Sequence, residues 1–331
     1  MNNFLPSQYT ADSELRIKHN YLFEQFYDHE EIFEKIKKIV ISGDFTLGMS
    51  VDHLEEEFSA FVGGKFAAGV GSGTDALFLS LKALGIGGQP TDEVITPCFS
   101  FYATTGAIVT SGAKPAFVDC GSDFNIDAEL IERAITENTK AIVPVHWAGS
   151  PCDVEKICAL GDKHSIPIVF DACHASGSQF RGVSIAEFGD ASCFSFHPLK
   201  NINVWGDGGI VVSNRKDLID KIKLIRNHGL ASRDECLQFS YNSRLDTIQA
   251  VVASHMLKRL PFINEKRIEN SIYIKSGLAD LVAKGCLQFP SYSDSDRCIY
   301  HLFSFIADSR DSLVANLRSL GIDAKIHYPK P

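Results

Sequence analysis

From residue 66 to residue 213 the chain alternates between two patterns. Short β-branched and aromatic runs read as strands: "KFAAGVGSG", "DEVITPCF", "KPAFVDC", "KAIVPVHW", "IPIVFDAC", "ASCFSF" and "GGIVVSN". Between the earlier ones, apolar residues recur at helical spacing over Thr74–Leu84, Tyr102–Thr110, Ala128–Thr136 and Val154–His164. Near-continuous apolar strands separated by helices predict an α/β fold. They imply a mostly parallel sheet of the seven-stranded type with helices on both faces. Upstream, Ile32, Phe33, Ile36, Ile39 and Val40 mark a helix from His29 to Ile41, "SGDFTLG" breaks it, and Val51–Phe61 reads as the next. Helices are expected again over Leu218–Arg226 and Asp246–Arg259.

From about Phe262 the pattern changes. "CIYHLFSFIA" reads as a strand, "SRDSLVANLRSLG" as a helix and "DAKIHY" as the start of another strand. The expected division is an N-terminal arm (1–30), a large domain (31–260) and a smaller α+β domain (261–331). That small domain stops at "YPKP", in mid-pattern, and is expected to be incomplete.

Composition narrows the function classes. The 331 residues are 45% hydrophobic and 22% charged, ordinary globular usage, with a net charge of -9. An acidic chain has no general attraction for nucleic acid or an anionic membrane, so neither is expected as a partner. No apolar run approaches a membrane span. The nine cysteines form no CxxC pair and no metal-like spacing. Reduced thiols in a cytoplasmic protein, with no metal site, are expected.

Three stretches carry candidate chemistry. In "GVGSGTDALFLSLKALG" a glycine-rich turn enters a helix near Thr74. Its free N–H groups, with Ser72 and Thr74, suit a phosphate. The same turn also suits simple Ser/Thr capping. A dinucleotide reading is set aside, because Asp92 and Glu93 begin the next strand rather than end it. In "IPIVFDACHAS" Asp171 ends an apolar strand at the sheet edge where ligands gather, and its carboxylate could hold a protonated ring nitrogen or only an N-cap. In "CFSFHPLKN" Lys200 follows another strand end, with Ser195 just before it. A lysine between buried strands is solvated, paired or chemically used. A phosphate site, an acidic partner for a ring nitrogen and a lysine on one rim are what pyridoxal 5'-phosphate requires. Phe101, past the end of "TPCF", could stack on the ring or pack in the core.

The sequence resembles the DegT/DnrJ/EryC1/StrS sugar aminotransferases, pyridoxal phosphate enzymes of the aspartate aminotransferase fold. The resemblance rests on "GVGSGTDALFLSLKALGIG", "DEVITPCFSFYATTGAIVTSGAKPAFVD", "KAIVPVHWAGSPCDVEKI", "VFDACHASGS", "CFSFHPLKN", "GDGGIVVSN", "IRNHG", "YNSRLDTIQA" and "GIDAKIHYPKP", in the family's order from about Gly43 onward. It implies that Lys200 binds the cofactor covalently, that Asp171 partners the pyridine nitrogen, and that His174 lies near the ring oxygen. It implies that Phe101 stacks on the ring and that Gly73, Thr74 and Ser195 form the phosphate cup. Asn242 matches an asparagine that reaches the neighbouring subunit's phosphate, which implies a homodimer with shared sites. The implied reaction moves an amino group from L-glutamate to a keto-sugar, nucleotide-linked, for surface polysaccharide or a natural product. Dehydratases of this fold carry histidine at the lysine position, so Lys200 favours the aminotransferase branch. A desulfurase would need a mobile catalytic cysteine, and Cys236, Cys286 and Cys298 sit in no such loop motif. A pyridoxal-binding regulator that does not turn over is the reading outside enzymes. Residues 1–30 match no family motif.

Overall fold

The computed structural model describes residues 15–329. Its main sheet is built from Phe66–Val70 (β1), Glu93–Pro97 (β2), Lys114–Val118 (β3), Thr139–Ile142 (β4), Val169–Asp171 (β5), Ala191–Ser195 (β6) and Gly209–Ser213 (β7). One ladder runs β3-β2-β4 and a second β5-β6-β7-β1. Hydrogen bonds from Ile142 N to Pro167 O (3.0 Å) and from Asp171 N to Pro144 O (2.8 Å) join them at β4 and β5. The resulting order is β3-β2-β4-β5-β6-β7-β1. Only β7 runs antiparallel to its neighbours. The mostly parallel α/β sheet that the patterning predicts is present.

Both sheet faces are buried, which is why the strands read as continuous apolar runs. Along β6 and β7 the side chains alternate. Phe194, Ile210 and Val212 enter one apolar cluster with Phe58, Leu54 and Met256. Ala191, Cys193 and Val211 enter another with Leu77, Leu79, Leu81 and Val169. Phe58 fixes the first cluster by edge-on contacts to Phe194 (5.1 Å) and Phe196 (5.3 Å). β1 is also tied by charge. The buried Glu55 accepts from Gly69 N (2.8 Å) and pairs with the buried Arg226 (2.5 Å), which donates to Gly69 O (2.7 Å). Removing Glu55 would strand the Arg226 charge in the core, whereas Glu55 also pairs with Lys223 (2.5 Å).

Helices form close to where the spacing puts them: His29–Ser42, Met49–Phe61, Gly73–Ala83, Tyr102–Ser111, Ala128–Ala134, Val154–His164, Lys216–Ile225 and Thr247–Leu257. Past residue 260 a helix at Leu260–Gly277 leads to one at Arg310–Ser319.

Two predicted strands are corrected. Of "CIYHLFSFIA" only Ile306–Ala307 pairs, with Leu287–Gln288, and "DAKIHY" forms no strand. Neither finds a sheet edge with free backbone groups. Cys298–Phe305 instead folds back against the Trp147–Gly149 turn, where Ile299 N donates to Gly149 O (3.1 Å). Of the expected 1–30 arm, residues 1–14 lie outside those described, while Ile17 bridges Ile322.

Candidate active site

The site gathers at the carboxyl ends of β5 and β6 and the N-terminus of the Gly73–Ala83 helix. The register places Asp171 opposite Cys193, two residues before Ser195. Ser195 in turn faces Gly209 on β7. Gly209 sits hard against the turn, since a Cβ there would lie 2.3 Å from Ser72 O. That contact seats the Ser72–Thr74 turn on the sheet edge and explains the last glycine of "GDGG".

The turn is built as an anion cup. Ser72 caps the helix, its Oγ accepting from Asp75 N (3.0 Å). The first N–H groups that follow have no intrahelical acceptor and face outward with the positive end of the helix dipole. Gly73 admits no side chain, because a Cβ would meet Ser195 Cβ at 2.6 Å and Cys173 Sγ at 2.9 Å. Thr74 is exposed beside it. Ser195 is buried and its Oγ accepts from His197 N (3.2 Å). Gly71 N donates to Ser243 Oγ (3.3 Å), tying the turn to "YNSRL".

Asp171 is 6% exposed. Its Oδ2 accepts from Thr104 Oγ1 (2.7 Å) and its Oδ1 from Cys173 N (3.1 Å). Two donors from different elements fix the plane of the carboxylate. Thr104 was not singled out from sequence. It lies on the buried face of the Tyr102–Ser111 helix, and only the tertiary packing of that helix aims it at Asp171.

Lys200 lies half-buried on the loop after β6, its N–H bonded to His197 O (2.8 Å). Desolvation by its surroundings pushes its amine pKa below the ordinary lysine value. The nearby Cys173 and Asp171 oppose that shift. His174 is buried against Trp147 and His301, and its Nδ1 has no hydrogen-bond partner among the described residues. Burial, with Lys200 and His327 nearby, keeps its pKa well below the usual histidine range. Phe101 is half exposed at the mouth, 5.6 Å from the Tyr328 ring. Asn242 is exposed, bridged by its backbone to Asn227. The fold thus brings Gly73, Asp171, His174 and Ser195 to one rim with Thr74 at the cup, Lys200 on the adjoining loop and Phe101 at the mouth. Asn242 faces outward from this chain.

These residues fit pyridoxal phosphate. The cup suits a phosphate, Gly73 lets the turn pack directly against Ser195 and Cys173, and the orphaned buried Nδ1 of His174 is left for a polar partner. The chain matches the model of the DegT/DnrJ/EryC1/StrS aminotransferase family over residues 27–331. It is 39% identical over 303 residues to a UDP-N-acetyl-3-dehydro-alpha-D-glucosamine 3-aminotransferase of Acidithiobacillus ferrooxidans, covering 91% of this chain and 80% of that protein. It is 37% identical over 306 residues, with the same coverage of each chain, to a protein of Geobacillus stearothermophilus named as a pleiotropic regulatory protein. The solved structure of S. venezuelae DesV in complex with a ketimine intermediate superposes with a TM-score of 0.92 at 35% identity, covering 96% of this chain and 85% of that one. The chain belongs to the DegT/DnrJ/EryC1/StrS aminotransferase family and is a pyridoxal phosphate-dependent transaminase.

Proposed function

We propose that the enzyme moves an amino group from L-glutamate to a nucleotide-linked keto-sugar, in amino-sugar biosynthesis for surface polysaccharide or a natural product. The convergence of Lys200, Asp171 and the Gly73–Thr74 cup on one rim carries the proposal. The names of its relatives support a sugar as acceptor, and that of the Acidithiobacillus enzyme supports amination at the third carbon.

Bound pyridoxal phosphate supplies an electron sink for the carbanion left when a carbon beside nitrogen loses its proton. The chain's residues do the rest. The Gly73 and Thr74 N–H groups and Ser195 Oγ hold the phosphate. Asp171, fixed by Thr104 and Cys173, holds a proton on the ring nitrogen and so keeps the sink effective. His174 Nδ1 meets the ring oxygen, and Phe101 covers one ring face. Lys200 Nζ, whose pKa burial lowers, would take the proton from the donor's α-carbon and return it two atoms away, to the carbon on the far side of the nitrogen. In the second half-reaction it moves a proton the other way, onto the sugar carbon. Asn242, exposed on this chain, reaches the phosphate held by a second copy in a homodimer.

The test is the visible absorption of the protein with added pyridoxal phosphate, before and after borohydride, beside Lys200→Ala. A covalent adduct at Lys200, lost in the variant, and conversion to the pyridoxamine form on adding glutamate are the expected results. Turnover by Lys200→Ala would sink the lysine's role. Cofactor binding with no response to any amino donor would favour a non-catalytic regulator, the reading that the Geobacillus relative's name supports.

A further inference from the structure

His301 was not marked by the sequence. It sits on the Cys298–Phe305 segment that folds back against the Trp147–Gly149 turn, and its ring lies 4.4 Å from that of His174, tilted by 35°. Arg267 Nη1 holds this backbone by donating to Tyr300 O (3.2 Å) and His301 O (3.1 Å). The charged and titratable groups around the ring are His174, Lys200, Arg267 and His327. With burial they keep the imidazole uncharged.

A buried relay reaches this ring. His301 Nδ1 is 3.1 Å from Asn201 Oδ1. Asn201 Nδ2 is 2.9 Å from Asn264 Oδ1, and Asn264 Nδ2 is 2.9 Å from Ser176 O. Asn201 is 3% and Asn264 1% exposed, so the relay is shielded from bulk water.

The relay has only one self-consistent direction. Ser176 O is a carbonyl and can only accept. The Asn264 atom facing it is therefore the amide nitrogen, and the other end of that amide is oxygen. The Asn201 atom facing that oxygen is nitrogen, so Asn201 turns its own oxygen to His301. His301 Nδ1 must then carry the proton. An uncharged imidazole has one N–H, so Nε2 carries the lone pair. Flipping either amide would oppose two donors or two acceptors in the core. His301 is only partly buried, and among the described residues its ring is hydrogen-bonded through Nδ1 and not through Nε2.

We propose that His301 Nε2 accepts a hydrogen bond from a hydroxyl of the acceptor sugar, and that Asn201 and Asn264 are positioning residues that hold His301 in the Nδ1–H tautomer. The inference rests on the sugar aminotransferase reading. Carboxylates and phosphates have only lone pairs to offer a lone pair, so neither glutamate's carboxylates nor a nucleotide's phosphates suit this atom. An ammonium would sit among Lys200 and Arg267. A neutral hydroxyl meets no such repulsion.

The tautomer can be read directly by long-range 1H–15N spectra of the full-length holoenzyme labelled with 15N-histidine, with His301 assigned by its loss in His301→Gln. The wild type should show a protonated Nδ1 and an unprotonated Nε2. Asn201→Leu and Asn264→Leu should shift His301 toward the other tautomer. In steady state Asn264→Leu should raise KM for the keto-sugar about tenfold, with a change of about twofold or less in the glutamate half-reaction. A protonated Nε2 in the wild type, or an unchanged tautomer in both leucine variants, overturns the relay. Equal losses in the two half-reactions overturn the contact with sugar. Failure of the functional reading is distinguishable: the wild type would then aminate no keto-sugar, while the spectra would still decide the tautomer.

Discussion

Asp171 shows how much of one residue's task lies in its neighbours. Its carboxylate is gripped on one oxygen by Thr104 and on the other by Cys173 N. Asp171→Asn keeps the shape and removes the charge that, in the proposed mechanism, retains a proton on the ring nitrogen. Its kcat should fall about a hundredfold or more, with cofactor affinity less affected, checked by steady-state kinetics and cofactor titration. An asparagine variant with near-normal kcat would remove Asp171 from the mechanism. The strand end and the aspartate are readable from "IPIVFDAC". The threonine that aims it lies 67 residues away in sequence, on a helix whose own pattern gives no hint of it.

At the scale of elements, the decisive contact is the Gly73–Ala83 helix set against the ends of β6 and β7. Gly73→Ala places a methyl group where Ser195 and Cys173 already stand, so the turn must move off the sheet edge. Pyridoxal phosphate affinity should fall by at least about tenfold while the fold persists, measured by cofactor titration and circular dichroism. Unchanged affinity would mean that the cup lies elsewhere. Helix positions followed directly from apolar spacing, because a helix buries an apolar face on the sheet or on a neighbouring helix. The misread segment is Cys298–Phe305. Its residues suit a strand, yet a strand exists only where a neighbour offers free backbone groups, and none does there. What that segment supplies instead is His301, which no periodicity marks.

At the scale of the whole molecule, two outcomes are expected. The first is an acid sensitivity built into the core. His146 is fully buried, its Nδ1 accepting from Cys152 N (3.1 Å) and its ring stacked on Phe170, and burial lowers its pKa from 6.5 to about 3. Between those values the unfolded chain takes up a proton that the folded chain refuses. Stability therefore falls as pH drops through that window, by up to about 1.4 kcal/mol per pH unit from this group. Urea unfolding from pH 7 to pH 4 should show the slope, and His146→Phe should make it shallower by up to that amount. The second concerns assembly. If Asn242 serves a partner's site, co-expressed Lys200→Ala and Asn242→Ala chains should regain activity, because one site of each mixed dimer receives both native residues. No recovery above the Asn242→Ala chain alone would show that the sites are not shared.

The sequence by itself determined the order of strands and helices in the main sheet and the apolar character of its strands, and it marked the candidate residues for a cofactor. It could do so because apolar periodicity is local and because Lys200, Asp171 and the glycine turn each sit at the end of a recognisable element. The tertiary structure alone decided which donors fix Asp171, why Gly73 and Gly209 admit no side chain, and which nitrogen of His301 keeps its proton. Those depend on atoms brought within about 3 Å from distant parts of the chain, and hydrogen-bond direction is set only when both partners are in place.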